Sequence, residues 1–261
     1  MKTPSNRFAL LAVPVLLTAT LIASCATTHS SAEPNGQSKD QPTPEFVHET
    51  TDQYTTKSIE GFRIRISKAA LDHPESTNPA LDLLRRQLKQ TINQTPESTH
   101  ETLRKTTFWI EHNNPQFPCA CYHPSAVWLV GNGYNTDKER SIEIANPTNF
   151  VNWVNTGQPS MILHELAHAY QHATLGYNNP LVTKPYEQAK ASGTYDQVDH
   201  ISGNPRNHYA MENEVEYFAE LTEAYFGFND FYPFSRDQLK AHDPDGYRMI
   251  QVAWGLRDQQ N

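Results

Sequence analysis

Apolar and polar side chains alternate over Phe62-Arg-Ile-Arg-Ile66, the period of a strand with one buried face. Thr106 to Ile110 is β-branched and aromatic and reads as a second strand. Ser141-Ile-Glu-Ile-Ala145 alternates again and is expected at a sheet edge, shortly before the chain's most distinctive helix. Between these segments the period changes. Leu81, Leu84, Leu88 and Ile92 recur at helical spacing, which predicts a helix over Pro79–Ile92 with Pro79 near its start. Ala126 to Val130 is a short apolar run whose type the pattern leaves open. Met161, Ile162, Leu163, Leu166 and Ala167 make a helix buried on most sides. Pro159 suits its first turn, Gly176 its left-handed end, and Pro180 lies beyond. Asn213 to Phe226 is an apolar and acidic helix closed by Gly227. This order predicts an α+β fold with a small mixed sheet in one domain, residues 58–261.

The N-terminal residues read differently. Lys2 and Arg7 precede an apolar stretch, Phe8 to Ile22, broken by Pro14 and threonines and too short for a good spanning helix. Ile22-Ala23-Ser24-Cys25 resembles a bacterial lipobox. Residues 1–24 are therefore expected to be a lipoprotein signal peptide, with Cys25 lipidated; an ordinary secretory peptide cleaved near Ala26 is the alternative. Ala26 resembles the outer-membrane sorting pattern, so the expected location is the bacterial envelope, with the lipid anchor as the membrane contact. Residues 25–57 hold Ser, Thr, Pro, Gln and charge but few large apolar side chains, and are expected to be a flexible tether.

The net charge is −8, and loss of residues 1–24 removes Lys2 and Arg7 and no acid, leaving about −10. An acidic chain without a basic stripe argues against nucleic acid as a partner. Beyond Cys25 there are two cysteines, Cys119 and Cys121. One intervening residue makes a disulfide between them strained, although an exported chain meets an oxidising compartment. Two thiols in a loop is the plain reading, and part of a second metal site the alternative.

The chemistry concentrates at His164-Glu165-Leu166-Ala167-His168. Residues four apart share a helix face, so both imidazoles can point at one ion. Two imidazoles on a borderline-soft cation mean Zn2+, and Glu165 can act as general base toward water held there. A third ligand is expected from the second helix, where Glu212, Glu214, Glu216, Glu220 and Glu223 are candidates. Glu216 and Glu220 lie four apart, so one can bind the ion while the other accepts the second N–H of a ligand histidine. A capping box of Asn213 with Glu216 is the alternative role for Glu216. Tyr209 has a phenol suited to an oxyanion, although on residues alone it reads as a packing aromatic. His200 and His208 lie in a Gly/Asn-rich connection and read as solvated loop histidines, with substrate contact the alternative. Tyr122-His123-Pro124 reads as a surface turn, with lining of the cleft the alternative, and Asn229 to Phe234 reads as a helix stop with an aromatic plug beneath the site.

Tyr209-Ala-Met-Glu-Asn-Glu-Val-Glu-Tyr-Phe-Ala-Glu220 resembles the second zinc-site segment of the anthrax-lethal-factor type of metallopeptidase. That family has a tyrosine seven residues before its glutamate ligand, an aromatic pair after it and an acid four residues on. Tyr209, Glu216, Tyr217-Phe218 and Glu220 match these, and His164, Glu165 and His168 match the first segment. Tyr122-His-Pro-Ser125, Gln158 to His168 and Asn229 to Phe234 also look like bacterial and fungal proteins with a lethal-factor-like domain. The likeness spans roughly residues 58–257, with firm motif matches only in the two zinc segments. It implies a zincin-like fold and a gluzincin-type zinc metalloendopeptidase. In it His164, His168 and Glu216 hold one Zn2+, Glu165 and Tyr209 are catalytic, and Glu220 supports a ligand histidine. The toxin's large non-catalytic parts have no counterpart here, so its substrate choice does not carry over. Besides a peptide or protein substrate, the residues also fit a zinc-holding scaffold without turnover and an amide hydrolase acting on cell-wall material.

Overall fold

The computed structural model describes residues 49–256. The expected signal peptide, Cys25 and the expected tether up to residue 48 lie outside the described residues. In chain order the strands are β1 (Thr55–Ile59), β2 (Phe62–Ile66), β3 (Thr107–Ile110), β4 (Ala120–His123) and β5 (Ser141–Ile144). The α-helices among the described residues are α1 (Lys68–Leu71), α2 (Pro74–Gln94), α3 (His100–Arg104), α4 (Ala126–Gly131), α5 (Pro147–Thr156), α6 (Met161–Thr174), α7 (Pro180–Ser192), α8 (Glu214–Phe226), α9 (Arg236–His242) and α10 (Pro244–Ala253). The architecture is α+β around one small mixed sheet of order β1-β2-β3-β5-β4.

β1 and β2 form an antiparallel hairpin. Glu60 and Gly61, both at positive φ, make its two-residue turn, the geometry that matches strand twist. β2, β3 and β5 run parallel, and β4 returns antiparallel to β5. The alternation read from the sequence sets the faces. Phe62, Ile64, Ile66, Phe108, Ile110, Ile142 and Ile144 point into the main core beneath α2, α5, α6 and α8. On the other face Arg65 stacks over Trp109 at 4.6 Å, and a smaller apolar cluster joins Phe117, Cys121, Leu129, Tyr134 and Ala145.

Several expectations need correcting. The fold begins before Ser58: β1 starts at Thr55, and Glu49 already accepts the backbone N–H groups of Lys68 and Ala69. The expected tether therefore does not reach residue 57. α2 starts at Pro74, with Pro79 inside it; burial of Ala80, Leu84 and Leu88 offsets the hydrogen bond Pro79 lacks. β5 is not an edge strand. β4 lies outside it, and Tyr122 and His123 are buried strand residues rather than a surface turn. The 126–130 run is helical, with Ser125 capping α4 through Trp128 N–H. Among the described residues no helix is long and apolar enough to cross a membrane.

Candidate metal centre

α6 and α8 pack against each other, and α6 also lies against β4. Gly176, at φ 70°, ends the α6 segment in the left-handed conformation expected of it. Asn213 caps α8, its Oδ1 accepting from Val215 and Glu216 N–H, both at 3.0 Å. That cap leaves the Glu216 side chain for another partner, so the capping-box role is not its use.

His164 and His168 stand one turn apart on α6 with ring centroids 4.7 Å apart and planes at 85°. Glu216 Oε2 from α8 lies 3.1 Å from His164 Nε2 and 3.4 Å from His168 Nε2. Two bonds of about 2.0 Å at a tetrahedral angle separate their ligand atoms by about 3.3 Å. The three donors thus have the spacing of ligands around one small cation. Glu216 is completely buried and His168 nearly so, yet His168 Nε2 and Glu216 Oε1 have no hydrogen-bond partner. Buried polar atoms left so are costly, and a cation at their centre would satisfy them. These buried His and Glu groups are able to hold a metal ion.

The support of His164 differs from expectation. Its Nδ1 is 2.7 Å from Glu223 Oε1 but 3.4 Å from Glu220 Oε1, so Glu223 makes the hydrogen bond. Glu220 is drawn the other way by Asn229, whose Nδ2 donates to Glu220 O and Oε2. Glu216, Glu220 and Glu223 form an i, i+4, i+7 stripe, the pattern in the sequence that marks the third acid as a partner of the same face.

Electrostatics divide these acids. Burial would raise the Glu216 carboxyl, but His168 and His164 outweigh it and hold it well below the usual range. Burial would depress the His164 imidazole, but Glu216 and Glu223 keep it well above its usual value. Burial pushes Glu223 up to about 7 against the pull of His164. Glu220 is pushed well above by burial and by Glu223 and Asp230. Glu165 is raised by burial, with His164 and His168 opposing, and its Oε2 has no hydrogen-bond partner.

His164, Glu165, Tyr209, Glu220 and Glu223 line one cavity, walled on its apolar side by Cys119, Trp153 and Met161. Its volume of about 30 Å³ is room for roughly one or two waters. Tyr209 opens a short 3₁₀ turn, with its ring 6.5 Å from that of His164. His208 is neither solvated nor directed at this cavity. It is buried as the cap of that turn, its Nδ1 accepting from Ala210 N–H, and stacks on Phe231. His200 packs on Phe231 with Nε2 3.4 Å from Asp230. The 229–234 segment does lie beneath the site, through Asn229 on Glu220. A residue not singled out from the sequence, Tyr177, stacks on His172 and feels the charge of Glu216; no local pattern marks it. Tyr122, on β4, is 2.9 Å from His172 through its hydroxyl, and its backbone amide hydrogen-bonds the Glu165 carboxyl. Cys119 and Cys121 are buried and not bridged to each other. Comparison of the chain with protein-family models, curated proteins and solved structures found no match.

Proposed function

We propose that this chain is a zinc-dependent metallopeptidase of the gluzincin kind with a zincin-like catalytic domain, exported and held at the bacterial envelope by lipid on Cys25. The observation that carries the reading is the convergence of His164, His168 and Glu216 from two helices, with two of their buried polar atoms lacking any other partner. Imidazole and carboxylate donors at tetrahedral spacing fit zinc. When bound, zinc would supply Lewis acidity, polarising a peptide carbonyl and lowering the pKa of water to about 7.

The remaining chemistry belongs to the chain. Glu165 lies in the same cavity with one carboxylate oxygen unengaged. Its raised pKa suits a base that takes a proton from the attacking water and returns it to the leaving amine. The phenol of Tyr209, lining the same cavity, donates a hydrogen bond to the developing oxyanion. Glu223 orients His164 through Nδ1 and keeps Nε2 turned toward Glu216.

The test is a cleavage profile on a mixed peptide library with and without chelator. Cuts that chelator abolishes and zinc restores are expected. Bound zinc with no cut in any peptide would refute the peptidase, leaving the scaffold or, if cell-wall amides alone are opened, the amide hydrolase. Lipidation is tested separately by fatty-acid labelling in bacterial cells, which C25A should abolish; unchanged labelling would refute the anchor.

A further inference from the structure

On the face of the sheet away from the main core, three other metal-binding side chains meet. Cys121 and His123 are two residues apart on β4 and so share a face. Glu143 stands directly opposite Cys121 on β5. Cys121 Sγ is 3.7 Å from His123 Nε2, and His123 Nε2 is 2.7 Å from Glu143 Oε2. All three side chains are buried, and their donor atoms lie within 4.8 Å of one another. We propose that Cys121, His123 and Glu143 form a second site for a borderline-soft divalent cation such as zinc, separate from the one between α6 and α8.

The spacing is close to what a cation needs. A metal–sulfur bond of about 2.3 Å and a metal–nitrogen bond of about 2.0 Å at a tetrahedral angle hold S and N about 3.5 Å apart. The Cys121–His123 pair already has that separation. The His123–Glu143 hydrogen bond has to open by about half an ångström to admit the ion. Glu143 is held for the role: Asn114 Nδ2 donates to its Oε1 at 2.8 Å, which leaves Oε2 turned to His123. The rings of Phe117, Trp128 and Tyr134 surround His123 at 5.4–6.2 Å.

Charge points the same way. Lys138 is fully buried here, its Nζ 2.7 Å from Glu111 Oε1 and 3.2 Å from Glu143 Oε2. Tyr54 hydroxyl also donates to Glu111. One ammonium faces two carboxyl groups. A divalent cation entering with a Cys121 thiolate brings the ionised group to formal neutrality, which a dry interior favours. Three protein donors instead of four make this an exchangeable site, weaker than a closed structural one. The ion would tie β4 to β5 next to Tyr122, whose amide faces Glu165.

Cobalt(II) titration of the full chain tests this, because Cys121 gives this donor set a thiolate and the His164, His168 and Glu216 set has none. With Cys25 replaced by serine, two equivalents are expected, one giving a near-ultraviolet thiolate-to-cobalt band. H164A/H168A should lose one equivalent and keep the band. C121S should lose the band and the other equivalent, while C119S keeps both. H123Q, should C121S fail to fold, must weaken the band-forming equivalent at least tenfold. No thiolate band in the parent chain, or a band that survives C121S, would overturn the proposal. Failure of the zinc peptidase reading shows differently: H164A/H168A then leaves the count of bound ions unchanged, while the thiolate band still follows Cys121.

Discussion

The two acids behind His164 make opposite predictions. Glu223 lies at 2.7 Å from Nδ1 and Glu220 at 3.4 Å, and only the first is a hydrogen bond. Replacing Glu223 by glutamine keeps the shape and removes the charge that makes Nε2 a stronger donor to a metal. Loss of such a supporting group costs about 10–100-fold in metal affinity, or about 1.4–2.8 kcal/mol. E220Q, whose side chain is engaged by Asn229, should cost less than about threefold, the scale of a weak contact through space. The assay is zinc affinity by competition with a chromophoric chelator at fixed pH. The pH dependence gives a second readout. Burial pushes Glu223 up to about 7, so below that pH the metal-free carboxyl holds a proton that it must release to support His164. The wild-type advantage over E223Q should therefore narrow as pH falls from about 8 to about 6. If E220Q weakens binding as much as E223Q, or the gap widens in acid, the assignment of Glu223 is wrong.

Three further predictions are independent of that one. E165Q should retain zinc and lower peptide cleavage at least about 100-fold, the minimum expected of a general base; activity within tenfold of wild type would remove Glu165 from the mechanism. Glu143 sits at about 2, because burial, which raises it, is outweighed by Lys138 and His123. Measured with chelator present, its contribution of on the order of 3 kcal/mol should be complete above an unfolded-state pKa of about 4.3 and be lost as pH falls through about 2. E143Q should flatten that acid limb in urea unfolding, and parallel profiles for the two proteins would contradict the claim. N229A removes hydrogen bonds to Glu220 O, Glu220 Oε2 and Phe231 N–H from a fully buried position. It should cost about 3 kcal/mol in urea unfolding; a loss under about 1 kcal/mol would mean that the segment beneath the site is not held by this side chain.

Local signals in the chain were sufficient for much of this. The alternation in Phe62–Ile66 named a strand with the correct face inward, because period two decides which side chains meet the core. Asn213 before an acidic helix and Gly227 after it set the ends of α8, because capping acts within one turn. The same one-turn geometry brought His164 and His168 together. Glu216 as their partner came from spacing on its helix together with resemblance, and α6 against α8 places it there.

What residue patterns left open was every choice between neighbours of equal local merit. Glu220 and Glu223 both face α6, and the pull of Asn229 on one of them decides which reaches His164. Ser141–Ile144 alternates like an edge strand, yet β4 covers it, a pairing made across the chain and invisible to a window of ten residues. Cys121, His123 and Glu143 read separately as a loop thiol, a turn histidine and one acid of an alternating strand. Their meeting, with Lys138 buried beside them, depends on the register of β4 against β5. The sequence by itself determined the elements and the histidine pair, since periodicity and capping are short-range. Only the tertiary structure decided which distant carboxylates face them, because that follows from how whole helices and strands pack.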